Sequence, residues 1–143
     1  MRIVATFESS AFKLPVDGET FAEPPGEDVA TWLAARLRAQ GCDVMQPVPE
    51  DFGWYIGFSL EGHQYQAVIG PEGEEFWYVV VERAVGLLPS LLGLRRRHKN
   101  PKAVLMMHQS LQDADIRNVQ WHSWSAFSRG GADAFTNGAN SPV

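Results

Sequence analysis

The sequence predicts an α+β domain, an antiparallel sheet of about four to six strands with two helices packed on one face, in the order β-α-β-β-β-α-β. Three observations carry this expectation. Three strand-like runs follow one another between residues 54 and 82, joined by short Gly-containing turns. Only two stretches, 27–40 and 102–113, carry a helical stripe. The alternating βα units of a doubly wound fold are missing.

The elements follow in order. Arg2–Phe7 (RIVATF) is an apolar, β-branched run and reads as a strand. Glu8–Gly26 is rich in Pro, Gly, Ser and acids and reads as a loop, with a short edge segment around Phe12–Val16. Glu27–Gln40 is the clearest helix. Val29, Trp32, Leu33 and Leu37 make one apolar stripe, Glu27 and Asp28 sit in the first turn, and Arg36 and Arg38 sit near the last. Gly41 follows, where a left-handed cap is expected. Cys42–Val48 is short and extended, punctuated by Pro47 and Pro49.

Trp54–Leu60 alternates, with Trp54, Ile56, Phe58 and Leu60 on one face and Tyr55, Gly57 and Ser59 on the other. Gln64–Ile69 places Tyr65, Ala67 and Ile69 together. Glu75–Glu82 is apolar on both faces and reads as a central strand. Glu61-Gly62-His63 and Gly70–Glu74 are the hairpin connections, so the three strands form a meander. Ala84–Leu94 is uncharged but broken by Gly86, Pro89 and Gly93. Pro101 suits the first position of a second helix, Lys102–Asp113, with Val104, Met107, His108 and Leu111 on its stripe. Ile116–Trp121 is the last strand. The expected domain is therefore 1–124, and the small, polar stretch 125–143 reads as a flexible C-terminal tail.

Composition narrows the function classes. The chain has 143 residues, 45% of them hydrophobic and 20% charged, an ordinary globular balance. Its single cysteine, Cys42, excludes an intrachain disulfide and a Cys-rich zinc motif. Twelve basic residues against seventeen acids give a net charge of −5, which argues against general nucleic-acid binding. No run reaches the length of a membrane span, and residues 1–20 lack a signal-peptide core, so a cytoplasmic setting is expected.

The sequence lacks G-x-S-x-G, P-loop and dinucleotide motifs, and its histidines have no H-x₃-H or HExxH spacing. No cofactor and no metal site is expected. Glu50 and Asp51 precede Phe52, Gly53 and Trp54, so two adjacent carboxylates stand beside aromatics. That block reads first as a turn: Asp51 caps it, Gly53 takes a backbone shape other residues cannot, and Trp54 anchors the core. A second reading makes the carboxylates part of an acid/base or ligand site with His63 and Tyr65. Convergence of His63, His122 and Glu50 is a weaker version of the same idea. Tyr55, Tyr65 and Trp77 could line a contact surface, although core packing is the stronger reading for Trp54 and one face of strand 75–82. Arg95, Arg96 and Arg97, with Lys99 and Lys102, follow a Leu-rich stretch, either as a solvated connector or as a docking element for an acidic partner or membrane surface.

The Glu50-Asp51-Phe52-Gly53-Trp54 block, taken with Phe7-Glu8-Ser9, Trp32-Leu33 and Ile116–Trp121, resembles a family of small bacterial proteins that share an acid-acid-aromatic-Gly-Trp block. The likeness spans roughly residues 1–124, and Phe52 stands where the family commonly has Trp. The resemblance implies a cytoplasmic bacterial domain and supplies no mechanism, because that family has no established activity.

The favoured expectation is a non-enzymatic protein-binding module, such as an immunity or adaptor protein, steered to a basic bacterial partner by its acidic charge. The alternative is a small-molecule binder or enzyme with a carboxylate/His/Tyr site near the block. A homodimer formed through strand edges or Leu87–Leu94 is a third reading.

Overall fold

A computed structural model of the chain describes residues 1–12, 24–51, 53–72, 76–84, 100–130 and 138–143. The expected α+β class is what the molecule has. Its seven-stranded sheet contains β1 (Val4–Ser9), β2 (Asp43–Val44), β3 (Val48–Glu50), β4 (Gly53–Leu60), β5 (His63–Glu72), β6 (Phe76–Arg83) and β7 (Ile116–His122). The strands lie in the order β2-β4-β5-β6-β1-β7, and β3 pairs with β4 on the same edge as β2. Every described pairing is antiparallel. The helices are α1 (Glu27–Ala39), α2 (Pro101–Ser110) and α3 (Trp124–Gly130).

The meander forms as expected, because each strand buries alternate residues against the helices. Phe7, Trp54, Ile56, Phe58, Tyr65, Ala67, Ile69, Trp77, Val79, Val81 and Trp121 all join one core with Val29, Leu33 and Leu37 of α1 and Val104 and Met107 of α2. The β4–β5 connection is tighter than the sequence reading. Glu61 and Gly62 both take positive φ (54° and 79°), as a type I′ turn requires, and His63 already pairs with Leu60 as the first residue of β5. Two positive-φ residues in succession match the right-handed twist of the flanking strands, so the third residue is not needed in the loop.

Helix α1 ends where Gly41 takes φ 93°. There the Gly41 N–H reaches the Arg38 carbonyl at 2.9 Å, and the Cys42 N–H reaches that of Leu37 at 3.2 Å. These bonds satisfy carbonyls that the helix end would otherwise leave open. The buried stripe of α1 is Val29, Ala30, Leu33, Ala34 and Leu37, so Trp32 sits on its rim. There it meets Phe12 edge-on at 5.5 Å and takes the Arg36 guanidinium over its face at 5.1 Å.

Helix α2 starts on Asn100, whose side chain accepts from the Lys102 N–H at 3.0 Å, with Pro101 in the first position. It stops at Ser110, three residues short of the expected Asp113. Arg36 takes over its carbonyls. Its Nε donates to the Ser110 oxygen at 2.7 Å and its Nη2 to the Gln112 oxygen at 3.0 Å. One side chain thus ties α1 to the end of α2.

Two features depart from the sequence reading. β7 extends to His122. Beyond Ser125 the described residues include regular structure. Residues 124–130 are helical, and Ala139 exchanges two backbone hydrogen bonds with Trp121 (2.7 and 2.9 Å) on the outer edge of β7. Small side chains are what allow this close approach. A Cβ on Gly138 would lie 2.6 Å from both Gln120 Cβ and His122 Cε1. The readings made for Lys13–Val16, Phe52 and 85–99 lie outside the described residues.

Candidate functional site

The register sorts the sequence-predicted residues by face. Trp54, Tyr65 and Trp77 belong to the core beneath the helices and cannot meet a surface partner. The Trp54 indole N–H donates to the Pro24 carbonyl at 2.7 Å. Tyr65 stacks on Phe58 with centroids 5.7 Å apart, and its hydroxyl accepts from Asn100 Nδ2 at 3.0 Å. Trp77 is fully buried, and its Nε1 is the one buried side-chain polar atom without a hydrogen bond among the described residues. Arg95, Arg96 and Arg97 lie outside the described residues.

Glu50, Asp51 and Tyr55 do come together. β3 and β4 form a hairpin in which Glu50 pairs with Gly53, Pro49 with Trp54 and Val48 with Tyr55. Both carboxylates are exposed at this tip, and Tyr55 is half-buried on the face away from α1 and α2. Burial first, and then the Glu50 charge, push the Tyr55 phenol above its ordinary range. Gly53 is needed for space, not for backbone shape. A Cβ there would sit 2.1 Å from the Ile69 carbonyl oxygen of β5.

The same register separates the residues of the acid/base reading. His63 pairs with Leu60, at the far end of β4 from Gly53 and Glu50. Seven strand residues put these ends about 23 Å apart. Tyr65 faces the opposite side of the sheet from Tyr55. His122 is on β7, four strand spacings from β4 and so about 19 Å across the sheet. Among the described residues no three His, Cys, Asp or Glu side chains are grouped to hold a metal.

What the hairpin joins instead is an apolar edge. Residues 43–50 run along β4 in two pieces: Asp43 pairs with Ser59 and Val44 with Phe58, then Met45 N–H reaches the Gly57 oxygen at 2.8 Å, and pairing resumes at Val48. Met45 is 62% exposed and Val48 45%. The Met45 sulfur lies over Gly57, 3.0 Å from where a Cβ would stand. Directly paired residues share a face, so Val48, Tyr55, Val68, Val80, Val4 and His122 form one row across the sheet. Its β7 end lies under α3, where the Phe127 ring lies tilted against Tyr78 and His122 (centroids 5.6 and 6.4 Å apart). At its β3 end, Val48 and Met45 stand open beside Glu50 and Asp51.

Met45 and Val48 escaped the sequence reading because strands of two and three residues carry no measurable alternation. Gly57 inside an apolar strand was the available signal, since such a glycine often marks a close neighbour. The buried Thr6–His122 pair, Oγ1 to Nε2 at 2.9 Å, joins residues 116 positions apart and so leaves no local pattern in the sequence.

The chain matches no family model, no curated protein and no solved structure.

Proposed function

We propose that the protein is a non-enzymatic protein-binding module of the immunity or adaptor kind, and that it presents the β3–β4 edge to a basic protein partner in a bacterial cytoplasm. One observation carries this reading. Exposed Met45 and Val48 and half-buried Tyr55 are gathered beside two exposed carboxylates. Large apolar and aromatic side chains ringed by like charge are the usual make-up of an interface centre and rim. The net charge of −5 supports steering toward a basic surface. The wide separation of Glu50 from His63 takes support away from acid/base chemistry, which needs groups within hydrogen-bond reach. The resemblance of the Glu50–Trp54 block to a family of small bacterial proteins supports the bacterial setting.

The test is to capture partners from lysate of the protein's own host, and then to measure affinity for the one retained in stoichiometric amount. Tyr55→Ala should weaken binding at least tenfold, about 1.4 kcal/mol, as expected of an interface anchor. The double substitution Glu50→Lys/Asp51→Lys should slow association most at low salt. A partner held equally tightly by all these variants would place the interface elsewhere. A repeated blank would remove the reading.

A further inference from the structure

At the β7 end of the row that starts at Val48, His122 sits beneath a cover made by the chain's own C-terminal elements. The imidazole is 4% exposed. Its Nε2 shares a hydrogen bond with Thr6 Oγ1 at 2.9 Å, Phe127 of α3 lies against one side, and Gly138 is packed on Cε1. Residues 138–142 are held down by five bonds. Ala139 and Trp121 exchange two, Gly138 N–H donates to Gln120 Oε1 at 2.9 Å, and Arg2 donates twice, through its backbone N–H to the Pro142 oxygen at 2.9 Å and through its guanidinium to the Ser141 oxygen at 3.4 Å.

We infer that His122 is a proton-operated latch: it holds α3 and residues 138–142 on the sheet while neutral, and releases them when protonated. Thr6 and the ring share one proton along the 2.9 Å contact, and a neutral ring suits that bond in either tautomer. An imidazolium carries a charge that a buried site must offset, and the one hydrogen-bond partner of the ring among the described residues is the neutral Thr6 hydroxyl. The ionisable groups on the packed elements are Glu8 on β1 with Arg2 just before it, Tyr78, Glu82 and Arg83 on β6, Arg117 on β7 and Arg129 on α3. Arg129 turns back to the Ser125 oxygen at 3.0 Å and Glu82 accepts from Gln66 at 2.8 Å. No described carboxylate bonds the ring. Burial accordingly holds the imidazole below its ordinary 6.5. The sign follows: the closed form prefers the neutral ring, so its advantage is whole above pH 6.5 and drains away as the pH falls below it. Release would uncover Tyr78, which lies on the same face of the sheet as the apolar row that starts at Val48.

Hydrogen exchange on the full chain tests the latch. Protection of the Trp121 and Ala139 amides, corrected for intrinsic rates, is compared at pH 7.5 and 5.0 in the wild type and in His122→Gln. The wild type should lose protection several-fold at pH 5.0, with a ceiling of about thirtyfold for a ring that titrates at 6.5 once released. His122→Gln, which keeps a donor for Thr6 but cannot titrate, should lose none. A flat wild type, an equal loss in both proteins, or a simultaneous loss in β4 and β5 would each overturn the proposal. Should His122→Gln not fold, the His122 ring resonance in the wild type decides: it must titrate together with the Ala139 amide, and independent titrations would refute the latch.

Discussion

Single residues in this protein are constrained more by space than by chemistry. Gly53 of β4 and Gly70 of β5 lie close together, and each lacks room for a methyl group. At Gly53 the obstacle is the Ile69 backbone oxygen; at Gly70 it is the Tyr78 ring, 2.7–2.9 Å from the position of a Cβ. Backbone cannot swing aside as a side chain can. Gly53→Ala should therefore cost about 1–3 kcal/mol in urea unfolding, and Gly70→Ala less, if Tyr78 turns away. Cys42 gives a second residue-scale expectation. It is buried, donates to the Met106 sulfur at 3.0 Å, and its thiol is pushed above its ordinary range by burial. Its reaction with a thiol reagent at pH 8 should be slow in the folded protein and fast in denaturant. The sequence shows only the start of a short extended run there. It could not foretell Met106, because a contact between residues 64 positions apart leaves no local pattern.

At the scale of elements, legibility followed local signals. Glu61-Gly62-His63 announced a hairpin, Gly41 a helix end, and Pro101 a helix start, because each is a backbone requirement met by specific residue types. β2, β3 and α3 carry no such requirement. β2 and β3 are ordered by pairing with β4, and α3 by Phe127 against Tyr78 and His122. Tertiary contact, not propensity, makes them. The candidate site shared that fate: Glu50, Asp51 and Tyr55 were named from sequence, whereas Met45 and Val48 required the pairing register. Asn100 offers a test, since it caps α2 and also donates to the Tyr65 hydroxyl. Asn100→Ala should cost about 1–2 kcal/mol by thermal or urea unfolding, and adding Tyr65→Phe should cost less than the sum of the two single changes.

For the whole molecule, the three shifted groups set opposite limits on stability. His122, favoured neutral when folded, withdraws stability as the pH falls below 6.5. Cys42 and Tyr55 also resist ionisation when folded. Their contribution is complete below their ordinary values of 9.0 and 10.0 and is lost as the pH rises past them. Melting temperature against pH should form a plateau from about 6.5 to 9 with a fall on each side. In His122→Gln the acid side should flatten, and an acid limb left unchanged would assign that fall to carboxylates.

The two-piece edge over β4 has a consequence for how copies of the protein meet. A sheet border of continuous unpaired amides is a template for the next chain, and through it for aggregates. Here the border breaks after Met45, and Pro49 has no N–H to offer a newcomer. The apolar side chains at this edge are thus displayed without the backbone ladder that would recruit another strand. Docking there must proceed through side chains, and the protein should remain dispersed in sedimentation at concentrations where an unbroken edge of the same hydrophobicity would drive it into fibrils.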